Sequence, residues 1–134
     1  MRKQIGKLIP LATAAIRAKL ALEENSKQVN EAYSGYAASY GAAIDQSGLL
    51  AATAMFSDQS KRSKTKGDKT CLMDAILDVL KHQDPSISEG SLFDYVQANL
   101  AMEYLLKRQI LDSSIALKLV LRTFEQVKPK RHES

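Results

Sequence analysis

Cysteine, histidine, proline and tryptophan are scarce or absent in this sequence of 134 residues, which has one Cys, two His, three Pro and no Trp. A single cysteine, Cys71, cannot form an internal disulfide, and this suits a reducing cytoplasm. No His or Asn stands in a recognisable relation to Cys71, so a small buried hydrophobe is favoured over a nucleophile. No pair among the Cys and His residues has metal-ligand spacing, and we therefore expect no metal and no cofactor.

Long apolar runs are also missing, because no stretch approaches the roughly 20 apolar residues that span a bilayer. We therefore expect no membrane contact. The first residues, MRKQIGKLIPLATAA, have the basic start and short apolar run of a signal peptide. Pro10 and Thr13 break that run, and Arg17 and Lys19 follow at once. An amphipathic first helix of a cytoplasmic protein explains the pattern better.

The residues that are abundant indicate a helical globular protein. Hydrophobic residues make up 45% and charged residues 25% of the sequence, which argues against disorder. Ala, Leu, Lys, Gln and Glu are frequent, and all of them favour helix over sheet. The length suits one domain, which we predict over residues 1–134. The net charge of +4 permits an anionic partner without requiring one.

Tyrosines at helical spacing predict a buried helix face in the first half of the chain. Tyr33, Tyr36, Tyr40 and Ile44 follow one another at intervals of three, four and four residues. The face continues through Gly48, where a side chain is missing and helix propensity falls by roughly 1 kcal/mol relative to Ala. Either the helix breaks at Gly48 or another backbone comes very close. We predict close helix packing at Gly41 and Gly48.

The second half also has helical periodicity. The segment CLMDAILDVLKHQ is a clean amphipathic helix, whose shared face comprises Leu72, Met73, Ile76, Leu77 and Leu80. Residues 92–109 are predicted to run as one helix, with Phe93, Val96, Leu100 and Tyr104 pointing inward.

A last helix is predicted over residues 113–128. With the first helix and the tyrosine-led segment, five to seven helices and no convincing strand predict an all-α protein, a single compact helical bundle.

Basic residues concentrate in a loop and along the last helix. Five of the nine residues from Lys61 to Lys69 are basic and almost none is apolar, which predicts a flexible solvated loop at 57–70. This loop either aids solubility or contacts phosphates. Lys118 and Arg122 are one turn apart, and an unbroken helix from Leu100 would add Lys107 and Ser114 to one stripe. Residues 128–134 are expected to fray.

The order of these segments resembles a known family. A basic amphipathic helix is followed by YSGYAASYGAAIDQSGLLAATAMF, a polar loop, LMDAILDVL and a closing IALKLVLRTFE. This is similar to the small-subunit family of the type III-B CRISPR effector, the Cmr complex. The resemblance covers nearly the whole chain. In the tyrosine-led segment, the residues that stand in the family's positions are Tyr33, Tyr40, Ile44, Gln46, Gly48, Leu49, Ala52 and Phe56.

The resemblance implies a compact helical protein without catalytic residues that takes part in antiviral defence. Copies would stack on one another in an RNA-guided complex, beside a RAMP-type backbone subunit and a large subunit, and help to line the groove for guide RNA and target RNA. Cleavage would belong to other subunits. The RNA-binding residues that we predict are Arg17, Lys19, Lys61, Arg62, Lys64, Lys66, Lys107, Lys118 and Arg122.

Two other functions fit the sequence less well. A small helical DNA-binding regulator would need two helices joined by a short turn and a recognition helix rich in Arg, Asn and Gln, and neither is evident. An enzyme would need a convergent site. The carboxylate pairs Asp45 with Asp58 and Glu23 with Glu24 have no supporting base, nucleophile or metal, so exposed helix-end and turn charges explain them better.

Overall fold

The computed structural model of the chain describes residues 3–23, 26–58 and 68–128. Within these ranges it has six α-helices and two short strands, which confirms the predicted all-α class and helix number. The helices are α1 (Lys3–Ala15), α2 (Ala32–Ser47), α3 (Leu49–Phe56), α4 (Lys69–Gln83), α5 (Leu92–Ala98) and α6 (Glu103–Leu121). A π-helical turn, Ile16–Leu20, extends α1, and a 3₁₀ turn, Leu100–Met102, precedes α6. The strands are β1 (Gln28–Asn30) and β2 (Glu125–Val127).

Helix α4 lies at the centre of the bundle and packs against all five other α-helices and the π-helical turn. Its predicted face is confirmed, since Leu72, Met73, Ile76, Leu77 and Leu80 are all buried. Cys71 is buried, as predicted. The helix begins at the side chain of Asp68, which accepts a hydrogen bond from the backbone N–H of Cys71 at 3.1 Å and thereby caps it.

The tyrosine-led segment breaks into two helices at Gly48. This residue has φ 86° and ψ 163°, and its N–H ends α2 by donating to the Ile44 carbonyl at 2.9 Å. A Cβ at Gly48 would meet nothing within 4 Å, so the helix break is the correct alternative there and close packing is wrong. A Cβ at Gly41 would meet Leu111 Cδ2 at 4.0 Å, an ordinary contact that does not require glycine.

A buried hydrogen bond ties α2 to α3 across this break. The Tyr40 hydroxyl lies 2.6 Å from Thr53 Oγ1, and the Thr53 hydroxyl donates to the Leu49 carbonyl at 2.7 Å. Because the proton of Thr53 is used in that bond, Tyr40 is the donor to Thr53. The Tyr40 ring also packs against Phe56, with ring centroids 5.1 Å apart.

The predicted helix over residues 92–109 is interrupted. Helix α5 ends at Ala98, and Asn99 donates from its side chain to the Tyr95 carbonyl at 2.8 Å before the 3₁₀ turn begins. The turn changes the helical phase, so the prediction that Leu100 and Tyr104 point inward is wrong: both are exposed. Val96 is buried as predicted.

The two strands were not anticipated. They pair in parallel with Gln28 opposite Glu125 and Asn30 opposite Val127. Helix α6 ends at Leu121, so the predicted continuation of a helix to residue 128 is wrong. Three-residue strands whose partners lie so far apart in sequence leave no local periodic signal.

The predicted basic loop is shorter than expected, because α4 already begins at Lys69. Only residues 57, 58 and 68 of the loop are described outside a helix. Its predicted RNA-binding residues, Lys61, Arg62, Lys64 and Lys66, lie outside the described residues, as do residues 129–134 of the predicted tail. None of the described helices is both long and apolar enough to cross a membrane.

Candidate nucleic-acid interface

Arg17 and Lys19 lie on the π-helical turn that follows α1. Their side chains are exposed, whereas Ile16 and Leu20 of the same turn are buried. The turn ends where the N–H of Ala21 donates to the Ile16 carbonyl at 2.8 Å, an i to i+5 bond. One extra residue in the turn therefore keeps both apolar side chains in the core and both cations in solvent.

Lys19 has carboxylates close by. It lines a cleft of about 290 Å³ together with Leu77, Lys81, Gly90 and two acids of α4, Asp74 and Asp78. The Oδ2 atom of Asp78 also lies 3.8 Å from Nδ1 of His82. Since two carboxylates offset the lysines of this cleft, Arg17 is the stronger anion-binding position of the pair.

The three predicted cations of α6 do not form one continuous stripe. Lys107 and Lys118 are half-buried and Arg122 is exposed, but Ser114 between them is buried. Helix α2 packs against α6, and Lys107 Nζ lies 4.0 Å from Asp45 Oδ1 of α2. Lys107 is therefore separated from Lys118 and Arg122, which remain together at the C-terminal end of α6.

The Lys107–Asp45 contact has limited strength. The two side chains keep 43% and 74% of their surface exposed, and at such exposure an ion pair contributes about 1 kcal/mol or less. Asp45 is thus a solvent-exposed charge near the end of α2, as the sequence predicts. Among the described residues, no group of three His, Cys, Asp or Glu side chains could hold a metal ion.

Two cations that were not among the predicted sites share a cleft of about 450 Å³. Lys7 of α1 and Arg108 of α6 line it, together with Leu8, Gln83, Leu105, Gln109 and Asp112. Amide, ammonium and guanidinium groups all donate hydrogen bonds and so suit phosphate oxygens, while the carboxylate of Asp112 offsets part of the positive charge of this cleft. The sequence could have indicated both cations, since Arg108 directly follows Lys107 and Lys7 lies off the apolar face of α1.

Lys69 is a further cation that the predicted site residues omitted. It stands in the first turn of α4, and its Nζ lies 4.9 Å from the Phe56 ring centroid and 5.8 Å from that of Tyr36. Cation–π contacts hold the side chain over these rings. Lys69 thus places a fixed positive charge where the described part of the basic loop meets α4.

The buried tyrosines nearby have a structural role. Tyr33 is fully buried, and burial raises the pKa of its hydroxyl far above the usual value, with the nearby Cys71 and Asp68 adding to the shift. Burial also raises the pKa of Tyr40, to about 12. Both side chains stay neutral at physiological pH and serve the core rather than proton transfer.

Comparison with known protein families gives a match over most of the chain. A family model described as CRISPR-associated protein (Cas_Cmr5) matches residues 11–123, which include the described cations from Arg17 to Arg122. No curated protein and no solved structure matches the chain.

Proposed function

The chain belongs to the CRISPR-associated Cas_Cmr5 family and is a component of the Cmr system, and from this premise we propose that it is the non-catalytic small subunit of a type III-B effector complex. In this role copies stack beside the RAMP-type backbone subunit and the large subunit in the cytoplasm. They offer basic surface to guide RNA and target RNA.

The family match over residues 11–123 carries this proposal. The fold adds support, because the described cations lie outside a core built almost entirely from apolar side chains. In the proposed role, Lys118 and Arg122 at one end of α6 and Arg17 on the π-helical turn contact phosphates without reading bases. Base pairing between guide and target supplies the sequence specificity in RNA-guided effectors.

The test is a salt titration of target RNA binding by the assembled complex. Replacing Lys118 and Arg122 with Ala in every copy removes two phosphate contacts per copy. We expect this to weaken RNA binding and to flatten the slope of log affinity against log salt by about 1–2 units for each copy that contacts the RNA. Native mass spectrometry confirms that each complex still contains the chain.

A matched control separates local contacts from net charge. Lys27→Ala with Lys81→Ala removes the same charge from positions outside the predicted set, and it should leave the slope as in the wild type. If both double variants flatten the slope equally, the α6 pair does not contact RNA. Tight binding of duplex DNA by the isolated chain would instead favour the DNA-binding regulator.

A further inference from the structure

The cleft between α1, α4 and α6 combines two cations with a buried carboxylate. Lys7 and Arg108 line it from α1 and α6, and Asp112 lines it one helical turn after Arg108. Both cations are exposed, whereas Asp112 is only 3% exposed. The side-chain amides of Gln83 and Gln109 add further polar groups to the lining. The cleft therefore presents hydrogen-bond donors near solvent and a carboxylate acceptor deeper inside.

This combination suits a ligand that carries both a phosphate and a hydroxyl group. Ammonium and guanidinium groups bind phosphate oxygens, whereas a carboxylate only accepts hydrogen bonds and repels a second anion. A ribonucleotide satisfies both kinds of group, because its ribose 2′-hydroxyl donates a hydrogen bond beside the phosphate. A carboxylate has about four acceptor sites, so contacts of Asp112 within the chain leave capacity for a ligand hydroxyl. The cleft volume of about 450 Å³ is typical of ligand pockets.

The cleft is continuous with the cations at the C-terminal end of α6. Arg108, Ile115 and Arg122 are all exposed and follow one another at intervals of seven residues, which place them on nearly the same side of a helix. Arg108 precedes Arg122 by 14 residues, a rise of about 21 Å. A nucleic-acid strand that contacts Lys118 and Arg122 therefore reaches the cleft by continuing along one face of α6.

We propose that this cleft binds one ribonucleotide unit of an RNA strand and distinguishes RNA from DNA. Lys7 and Arg108 bind the phosphate, and the Asp112 carboxylate accepts a hydrogen bond from the 2′-hydroxyl. DNA lacks this donor, so the carboxylate gains no hydrogen bond and only repels the phosphate. The inference rests on the proposed function and adds recognition of the sugar to it, since phosphate contacts alone do not separate RNA from DNA.

The first test measures binding of fluorescently labelled single strands to the purified full-length chain, by anisotropy at low salt. RNA and DNA of the same sequence are compared. We expect RNA to bind about tenfold more tightly than DNA, and Asp112→Asn to lower the affinity for RNA about tenfold, because a neutral amide accepts a weaker hydrogen bond than a carboxylate. The affinity for DNA should stay equal or rise, whereas a purely structural role of Asp112 would lower both affinities together.

An RNA-to-DNA affinity ratio that is the same in Asp112→Asn and in the wild type would overturn the proposal, as would absence of RNA binding by the wild-type chain. Arg108→Gln should weaken RNA and DNA binding by the same factor, because both strands carry the phosphate. Asp45→Asn is the matched control, since it changes the charge equally at an exposed position outside the cleft. It should leave the ratio unchanged, and an altered ratio would contradict a specific role of Asp112.

The second test changes only the ligand, so it does not depend on the folding of the Asp112 variant. RNA with 2′-O-methyl groups keeps its phosphates but lacks the donor, and it should bind the wild-type chain as weakly as DNA does. Equal affinity for unmodified and methylated RNA would overturn the proposal. Adenosine 5′-monophosphate at millimolar concentration should not displace the RNA. Displacement would show that the cleft binds a free ribonucleotide, which contradicts the assignment to an RNA strand.

The outcome is separable from that of the RNA titration of the complex. If the salt slope responds to Lys118 and Arg122 while the RNA-to-DNA ratio ignores Asp112, the cleft assignment fails and the proposed function stands. The converse result would retain the cleft as a ribonucleotide site and remove the RNA contact at the end of α6.

Discussion

Helix α4 and the segment from Leu92 to Leu105 both carry apolar side chains at helical spacing, but they differ in how these are covered. In α4, the predicted face is entirely buried between the surrounding helices. In the second segment only Leu92 and Val96 are buried, and the remaining large apolar residues after the break at Asn99 face solvent. The same kind of pattern therefore gives a core in one region and a free surface in the other.

The difference shows what a hydrophobic period specifies. It predicts that a face avoids water, but it does not say whether the covering surface belongs to the same chain. In a protein that acts within an assembly, part of the apolar pattern serves the neighbours. Substitutions at α4 should therefore affect folding, and matching substitutions at the exposed apolar residues after Asn99 should affect it far less.

The largest contrast is expected between Ile76 and Leu105. Ile76→Ala removes a fully buried side chain of α4 and should lower the free energy of unfolding by about 2–5 kcal/mol. Leu105→Ala, at a half-exposed position, should change it by about 0.5 kcal/mol or less. Urea denaturation of the two variants measures both values. Equal losses would mean that Leu105 is part of the folded core.

Buried and exposed tyrosines should differ in how they affect stability at alkaline pH. Burial raises the Tyr40 pKa from 10.0 to about 12, so the folded chain holds this proton more tightly than the unfolded chain. The resulting stability is fully present below pH 10 and is lost as the pH rises through 12, at about 1.4 kcal/mol per pH unit for one tyrosine.

Tyr40→Phe should remove the part of the alkaline loss of stability that Tyr40 causes. The part that Tyr33 causes should remain. Denaturation midpoints measured from about pH 9 to about pH 12 give the slope of stability against pH. Tyr104→Phe is the control, because it removes a hydroxyl that already lies in solvent. A steep alkaline loss that persists unchanged in Tyr40→Phe would contradict the assignment.

The smallest effects concern two glycines of the tyrosine-led segment. Gly48 has backbone angles that are almost restricted to glycine, so Gly48→Ala should destabilise the fold by about 1–3 kcal/mol. Gly41→Ala places a methyl group in ordinary contact with Leu111 and should stabilise α2 by about 0.5–1 kcal/mol. Thermal unfolding of both variants should thus give shifts of opposite sign. Two shifts of the same sign would disprove this account of Gly48.

Local patterns in the sequence predicted the parts of the fold that depend on local periodicity. The buried face of α4, the inward positions of Tyr33 and Tyr40 and the family resemblance all follow from the order of the residues alone. The phase change after Asn99 does not, because it depends on one side chain that bonds back to Tyr95 and on where α6 meets the core. The separation of Lys107 from Lys118 was missed for a similar reason: it results from the burial of Ser114 between them, which depends on tertiary packing.

The pairing of β1 with β2 has a consequence for the order of folding. Gln28 and Glu125 are joined both by this pairing and by a side-chain hydrogen bond of 3.2 Å, and 97 residues separate them. Closing so long a loop has a high entropic cost that three-residue strands repay only after the intervening helices have assembled. We therefore expect the strand pair to form after the helices and to open before them, and its amide protons to exchange faster than those of α4.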